Sequence, residues 1–212
     1  MTKKKSGRPL GRPKVNSSDI PRNELILQTA ARLFIENGFQ KVSIDDVAKD
    51  ANVTKATVYY YFESKAELYK ESIISLMTRI NKTIDNFMST NKSLYNRLFD
   101  VTIAHLQATA TLDLESFMRE MKTELSDEQI QEMKIAEENM YKSIEQALLT
   151  AIDTGEIPKI NIKFATQSYL ALIKVGNYKL PNGTPIFQTT QESAENILNV
   201  FWKGFIDTNI GA

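Results

Sequence analysis

Residues 55–62 carry side chains that can contact nucleic acid: one lysine, one threonine and three consecutive tyrosines. On a helix that turns 100° per residue, this stretch has two faces. The outward face carries Ala56, Thr57, Tyr59 and Tyr60, and the inward face carries Val58, Tyr61 and Phe62. Hydroxyls beside the ammonium of Lys55 suit phosphates and base edges in a major groove about 12 Å wide. The alternative is that the tyrosines only pack a small helical core.

Other chemistry has few residues to support it. The 212 residues include no cysteine and one histidine, His105, so thiolate sites and multi-histidine metal sites are excluded. The carboxylates of residues 127–145 lack the Glu-x-x-His pairs of a di-metal bundle, and no glycine-rich phosphate loop occurs. We therefore expect no enzyme, no metal and no cofactor. The longest apolar runs have five residues, far fewer than the roughly 20 that span a membrane, so we expect a soluble, cytoplasmic protein.

Charge is unevenly distributed, although the net charge is zero. Residues 1–70 hold 13 basic and 8 acidic side chains, a net charge of +5, which leaves −5 for residues 71–212. A basic end on an acidic body suggests that one end binds a polyanion. Residues 1–18 are rich in Lys, Ser, Gly, Pro and Arg and predict a flexible basic arm. Its two Gly-Arg-Pro triplets resemble AT-hook peptides, which would place Arg8 and Arg12 in a minor groove, but a solubilising tail is the alternative.

The elements that position these residues are predicted to be helices. Apolar residues recur at three- and four-residue intervals from Pro21 onward, without strand-type alternation. Capping residues and glycines then delimit an all-α chain of about nine helices: 21–37, 43–52, 54–62, 64–90, 93–111, 114–125, 126–155, 161–176 and 189–209. The two short helices 43–52 and 54–62 are separated by a tight turn. This arrangement predicts a helix-turn-helix whose second helix enters the major groove.

The N-terminal pattern resembles the DNA-binding domain of the tetracycline-repressor (TetR) family. The matching motifs are Ala31-Arg32-Leu33-Phe34 with Gly38-Phe39, Ser43-Ile44-Asp45-Asp46-Val47-Ala48, Val53-Thr54-Lys55-Ala56-Thr57-Val58-Tyr59-Tyr60-Tyr61-Phe62 and Ser64-Lys65-Ala66-Glu67-Leu68. The resemblance implies a helix-turn-helix DNA-binding domain over 19–66 and a helical regulatory and dimerisation domain over 67–212. It also implies a DNA-binding set of Ser43, Thr54, Lys55, Ala56, Thr57, Tyr59, Tyr60 and Lys65. One departure is Asp45, because some members have a basic or neutral base-reading residue there.

The resemblance further implies an effector pocket and a homodimer. The pocket, for an unidentified small molecule, would be lined by Phe99, Ile103, His105, Leu106, Phe117, Met121, Met140 and Tyr141, with Gln107 as a second polar anchor. The helices 161–176 and 189–209 would pair with those of a second copy through Ala165, Tyr169, Leu172, Gly176, Ile197, Phe201 and Phe205. The alternative for both sets is an ordinary core within one chain.

These features predict a ligand-responsive, one-component transcriptional regulator. We expect a repressor that binds a near-palindromic DNA operator as a homodimer, without a membrane partner. The alternative is a DNA-organising protein of the same fold that needs no effector.

Overall fold

The computed structural model describes residues 20–110 and 124–207. Within these ranges the chain is all-α, as predicted, and forms nine helices with a single isolated bridge between Lys179 and Pro185. The helices are α1 (Arg22–Asn37), α2 (Ile44–Asp50), α3 (Lys55–Tyr61), α4 (Lys65–Met88), α5 (Leu94–Thr109), α6 (Asp127–Met140), α7 (Lys142–Asp153), α8 (Ile162–Val175) and α9 (Thr190–Phe205). No helix of the described ranges is long and apolar enough to cross a membrane.

The ends of the short N-terminal helices are set by side-chain caps. The hydroxyls of Ser43, Thr54 and Ser64 each accept a hydrogen bond from the backbone N–H three residues later, which begins α2, α3 and α4. Such a cap stabilises a helix by about 1 kcal/mol relative to alanine. Helix α1 ends at Asn37 because Gly38 takes a positive φ of 84°. The predicted helix starts are therefore confirmed in this part of the chain.

The predicted single helix over 126–155 is wrong, because the chain breaks at Tyr141 into α6 and α7. The side-chain amide of Asn81, on α4, donates hydrogen bonds to the carbonyl oxygens of Asn139 at 2.8 Å and Met140 at 3.1 Å. Those carbonyls lie in the last turn of α6, so α4 supplies partners for a helix end that has no glycine or proline to mark it. The predicted helix over 114–125 falls almost entirely outside the described residues.

Two hydrophobic cores organise the chain. The first joins α1, α2 and α3 to the beginning of α4 and includes Phe34, Val47, Val58 and Tyr69. It also contains Leu125 and Met133, which come from the segment before α6 and from α6 itself. The first core therefore extends past residue 66 and includes part of the C-terminal half of the sequence.

The second core lies among the end of α4 and helices α5, α7, α8 and α9. Tyr169 is fully buried at its centre, and its hydroxyl lies 2.7 Å from the hydroxyl of Thr102 and donates to the carbonyl oxygen of Leu98 at 3.0 Å. Burial raises the pKa of Tyr169 above the ordinary tyrosine range, so this phenol stays neutral. The hydroxyl is thus satisfied inside the core and binds α8 to α5.

Candidate nucleic-acid interface

Helix α3 presents a polar outer face because one residue anchors its inner face. Val58 is completely buried in the first core, and Phe62 follows it at the end of the helix, also buried. Tyr60 is 82% exposed and Tyr59 is 48% exposed, as the two-face prediction requires. A helix of seven residues held on Val58 leaves these phenols free to contact a partner.

The prediction for Tyr61 is wrong, since this side chain is 42% exposed rather than part of the core. Its position on the helical wheel lies about 60° from Val58, at the border of the buried face. Its ring packs edge-on against Tyr60, with ring centroids 5.0 Å apart. Tyr61 therefore supports the exposed ring of Tyr60 instead of filling the core.

Hydroxyls and an ion pair fix the beginning of α3. The Oγ1 atoms of Thr54 and Thr57 lie 2.8 Å apart, while Thr54 also caps the helix. The Nζ of Lys55 donates to a carboxylate oxygen of Asp45 on α2, at 2.7 Å. This hydrogen bond, together with the negative charge of Asp45, raises the pKa of Lys55. The residue that departs from the family pattern thus pairs with a lysine that is expected to bind DNA.

Two further members of the predicted set lie beside α3. Ser43 is exposed at the start of α2, but its hydroxyl donates to the carboxylate of Asp46 at 2.6 Å and accepts from the Asp46 N–H. The hydrogen bonds that the hydroxyl and the backbone N–H of Ser43 donate to this carboxylate lower the pKa of Asp46. Lys65, at the start of α4, lies with its Nζ 4.2 Å from the centroid of the Phe39 ring and 3.5 Å from the carbonyl oxygen of Gln40. Its ammonium is held next to the helix-turn-helix.

The structure brings the described members of the predicted DNA-binding set to one end of the molecule. Ser43, Thr54, Lys55, Ala56, Tyr59 and Tyr60 are exposed, whereas Thr57 and Lys65 are half-buried. Arg8 and Arg12 lie outside the described residues. Together these groups form a surface of hydroxyls and ammoniums on short capped helices, which is the chemistry of phosphate and base-edge contact.

Comparisons with known proteins identify this scaffold. The sequence profile of bacterial regulatory proteins of the tetR family matches residues 26–72, which span α1 to the first turns of α4. Over 159 residues the chain is 27% identical to YhgD of Bacillus subtilis, described as an uncharacterised HTH-type transcriptional regulator. That alignment covers 73% of this chain and 83% of YhgD. Residues 26–72 therefore form a DNA-binding domain of the TetR family. The chain is a transcriptional regulator and not an enzyme.

Two more relatives show how the likeness to TetR proteins is distributed. The negative transcriptional regulator IcaR of the biofilm operon icaADBC in Staphylococcus aureus is 38% identical over 71 residues, which cover 34% of this chain and 37% of IcaR. The crystal structure of FadR from Bacillus subtilis, in complex with stearoyl-CoA, matches with a TM-score of 0.67 at 18% identity. That alignment covers 85% of this chain and 97% of the FadR chain. The TetR fold therefore extends over both cores, while the sequence likeness to IcaR is confined to about a third of the chain.

A cluster of charges links the TetR DNA-binding end to α6. The ammonium of Lys70 is buried and contacts the carboxylates of Glu67, Glu71 and Glu132 at 2.9, 3.1 and 2.7 Å. Burial alone would lower the pKa of Lys70, but the hydrogen bonds that its ammonium donates to these three carboxylates raise it well above its usual range. The side-chain amide of Gln129 on α6 donates to Glu67 at 3.2 Å. We call these residues the Lys70 cluster; sequence reasoning missed it because it depends on two helices about 60 residues apart.

The structure describes six of the eight predicted pocket residues and places most of them away from the groove between α4 and α6. Leu106 is buried in the second core, and Phe99, Ile103 and Tyr141 are half-buried against it. His105 is half-buried at the end of α5, where burial and then the charge of Lys174 lower its pKa, so its ring is neutral at pH 7. Gln107 is exposed, and Phe117 and Met121 lie outside the described residues. Of the described members of the predicted set, only Met140 lines the groove that opens between α4 and α6.

The predicted dimer residues also require a correction. Ala165, Tyr169, Ile197 and Phe201 are buried inside the second core of their own chain, so they cannot meet a second copy. A Cβ atom at Gly176 would clash with side chains of Leu106, Ser193 and Ile197, which shows that this glycine serves packing within the chain. Leu172 and Phe205 are half-buried at the edge of the core. A stripe of small and apolar residues has the same spacing whether it packs within one chain or between two, so the sequence could not separate them.

Proposed function

We propose that this TetR-family protein is a ligand-responsive repressor that binds a near-palindromic operator as a homodimer. The observation that carries the proposal is the shared first core: the helix that contains Val58 and the helix that contains Met133 pack into the same cluster. A change in α6 would therefore reach the DNA-binding surface through the side chains of this shared core. The negative regulation by IcaR supports repression, and the stearoyl-CoA bound to FadR supports a ligand-binding role for the fold.

The proposed DNA contacts follow from exposure and polarity. Lys55, Ala56 and Tyr59 would approach base edges, while Thr57, Tyr60 and Lys65 would hold phosphates, with Ser43 and Thr54 at the ends of the adjoining helices. Arg8 and Arg12 would lie in the minor groove. Each phosphate that they neutralise would add about −0.9 to the slope of log affinity against log salt. A protein that reads chromosomal DNA works where that DNA is, so the proposal includes a cytoplasmic location.

The proposed dimer uses the outer side of α8 and α9. Phe164 is 62% exposed, Val200 is 59% exposed and Val175 is also exposed, although apolar side chains of this size are usually covered. Gly204 follows one turn after Val200, and nothing lies within 4 Å of the Cβ position it leaves empty. A glycine in that open position would allow the backbone of another helix to approach closely. We define Phe164, Val175, Val200 and Gly204 as the outer face of α8 and α9, and a second copy would cover it.

Dimerisation would also extend the DNA contacts from one half-site to two. Helix α3 has seven residues and can present three or four side chains to a groove. Two copies related by a two-fold axis would read two half-sites, so the operator would be near-palindromic.

The direct test is footprinting of the purified protein on the DNA that flanks its own gene, followed by titration of variants on the protected site. Tyr59→Phe removes one hydroxyl from the outer face of α3 and should weaken binding about 2- to 10-fold, because one hydrogen bond contributes about 0.5–1.5 kcal/mol. The matched control is Tyr178→Phe, an exposed tyrosine of the loop before α9, which should bind DNA as the wild type does. A protein that protects no site, or that protects DNA without two-fold symmetry, contradicts the proposal.

A further inference from the structure

A groove between α4 and α6 is not used by the DNA-binding surface or by the outer face of α8 and α9. Its volume is about 480 Å³, within the range of pockets that hold small molecules. Its apolar wall is formed by Ile74, Met77, Ile135, Ala136 and Met140. Ile135 is 49% exposed on the rim, an unusual position for a large apolar side chain on a helix that otherwise turns charges to the solvent.

Polar contacts fix the two walls of this groove to one another at two points. Glu132 lines the groove and belongs to the Lys70 cluster, where it lies 2.7 Å from the Lys70 ammonium. Asn81 also lines the groove and holds the end of α6 through the carbonyls of Asn139 and Met140. The space between the helices is thus set by directed hydrogen bonds on both sides, and filling it would push against both.

Some polar side chains of the groove have hydrogen-bond partners, and others do not. The carboxylate of Glu132 accepts a hydrogen bond from Lys70, the hydroxyl of Thr78 donates to the carbonyl oxygen of Ile74, and the amide of Asn81 donates to α6. Lys142 and Ser143, in the first turn of α7, also line the groove. Within the described residues neither has an ion pair or a side-chain hydrogen bond. They bring a positive charge and a hydroxyl to a helix start, where the backbone dipole also favours an anion.

We propose that this groove binds an elongated amphipathic anion, such as a medium-chain carboxylate. The apolar chain lies against Met77, Ala136 and Ile135, and the anionic group is held by Lys142 and Ser143. This rests on the proposed ligand-responsive function and specifies its ligand class. A bound chain moves α6 away from α4, which strains the Lys70 cluster and shifts Met133 in the first core.

The first experiment measures binding of decanoate to the full-length protein by calorimetry, below the micellar concentration. Decanoate should bind, whereas decyltrimethylammonium, with the opposite charge on a similar chain, should not. Lys142→Gln should weaken decanoate binding about tenfold, as expected for the loss of one charge-assisted hydrogen bond. The matched control is Lys134→Gln, an exposed lysine of α6 that does not line the groove, and it should bind as the wild type does. No decanoate binding, or equal binding of the cation, overturns the proposal.

The second experiment locates the ligand. Because the chain has no cysteine, Thr78→Cys places a unique thiol in the groove, and Thr83→Cys places one on an exposed part of α4 outside it. Decanoate should slow the reaction of a disulfide reagent with the thiol in the groove several-fold and leave its reaction with the thiol outside the groove unchanged. Ile135→Trp, which fills the rim, should abolish the heat of binding. Equal protection of both thiols, or unchanged binding by Ile135→Trp, shows that decanoate binds elsewhere and overturns the assignment.

The third experiment separates the groove from the proposed function. Operator affinity is measured with and without decanoate, for the wild type and for Ile135→Trp. Decanoate should lower the operator affinity of the wild type and not that of Ile135→Trp. If decanoate binds in the groove and operator affinity does not change, the regulatory link is wrong although the site stands. If the protein protects no operator at all, the proposed function is wrong, whatever the calorimetry shows.

Discussion

The two outward surfaces of this protein differ in chemistry. The outer face of α3 exposes hydroxyls and an ammonium on short helices whose ends are capped. The outer face of α8 and α9 exposes Phe164, Val175 and Val200 on longer helices. A polar surface on a rigid scaffold can exchange its water for phosphates and bases, while an apolar surface gains free energy only when protein covers it. The difference supports the proposal that one end of the molecule contacts DNA and the other contacts a second copy.

The largest effect is expected where α3 is anchored. Phe62→Ala should lower the free energy of unfolding by about 3–5 kcal/mol, because it leaves a cavity in the first core. Chemical denaturation followed by circular dichroism measures this loss.

The control is the neighbouring residue Tyr61, which the structure places at 42% exposure. Tyr61→Ala should change the free energy of unfolding by less than about 0.5 kcal/mol, as surface substitutions usually do. Equal destabilisation by both variants would show that Tyr61 is a core residue, as the sequence pattern predicts.

The next effect concerns the outer face of α8 and α9. Val200→Arg should raise the dimer dissociation constant about 100-fold or more, because an unpaired charge buried in an interface costs about 3–5 kcal/mol. Analytical ultracentrifugation measures the constant, and circular dichroism should show an unchanged helix content.

Two variants sharpen this test. Glu195→Arg places the same side chain on another exposed side of α9 and should leave the dimer intact. Ala165→Arg, in the buried second core, should unfold the chain rather than split the dimer. A folded, monomeric Ala165→Arg protein would restore the interface predicted from the sequence.

A smaller effect is expected at the Lys70 cluster, which joins the two regions. Glu132→Gln should lower the free energy of unfolding by about 1 kcal/mol, since Lys70 keeps Glu67 and Glu71 as partners. The variant should also weaken any ligand-induced loss of operator affinity, because α6 is then held less firmly to α4. Glu128→Gln, one helical turn earlier and exposed, is the matched control. Equal coupling in both variants contradicts a role of the cluster in regulation.

The same cluster predicts a dependence of stability on pH. The hydrogen bond from Lys70 holds the pKa of Glu67 below its usual value in the folded chain, despite partial burial. The contribution of Glu67 is therefore present above the ordinary glutamate pKa and is lost as the pH falls through the folded value. Denaturation midpoints measured from pH 6 downward, for the wild type and Glu67→Gln, should converge in acid. Midpoint curves that stay parallel in acid would contradict a stabilising role of the ionised Glu67 side chain.

The smallest effect concerns Asp45. Asp45→Asn removes a negative charge from the DNA-binding end and frees Lys55, which should increase affinity for non-operator DNA a few-fold and steepen the salt slope by up to about 0.9. Fluorescence anisotropy in a salt series measures both. Asp50→Asn is the control, because Asp50 pairs with Arg32 on α1. A steeper slope in both variants would mean that overall charge, and not the pair with Lys55, is responsible.

Much of this architecture could be predicted from local signals. Ser43, Thr54 and Ser64 mark helix starts because each cap binds a backbone N–H only three residues away. The break at Tyr141 could not be predicted, because its hydrogen-bond donor, Asn81, lies about 60 residues earlier. The face of α8 that stays exposed depends on α5 and α9, which decide that Tyr169 points inward and Phe164 outward. Signals within one helical turn were sufficient for the DNA-binding end, and contacts between distant helices determine the rest.

The presence of Leu125 and Met133 in the first core has a consequence for modular exchange. A hybrid regulator made by joining residues 1–66 to the sensor of another family member would lose both side chains, together with Tyr69 and Ile73 from α4. The C-terminal domain of the other protein would then have to supply apolar side chains that replace them in the first core. The DNA-binding domain can therefore be joined only to C-terminal domains whose own helices fill the same positions. DNA specificity and the proposed ligand specificity are then less independent than their separation along the sequence suggests.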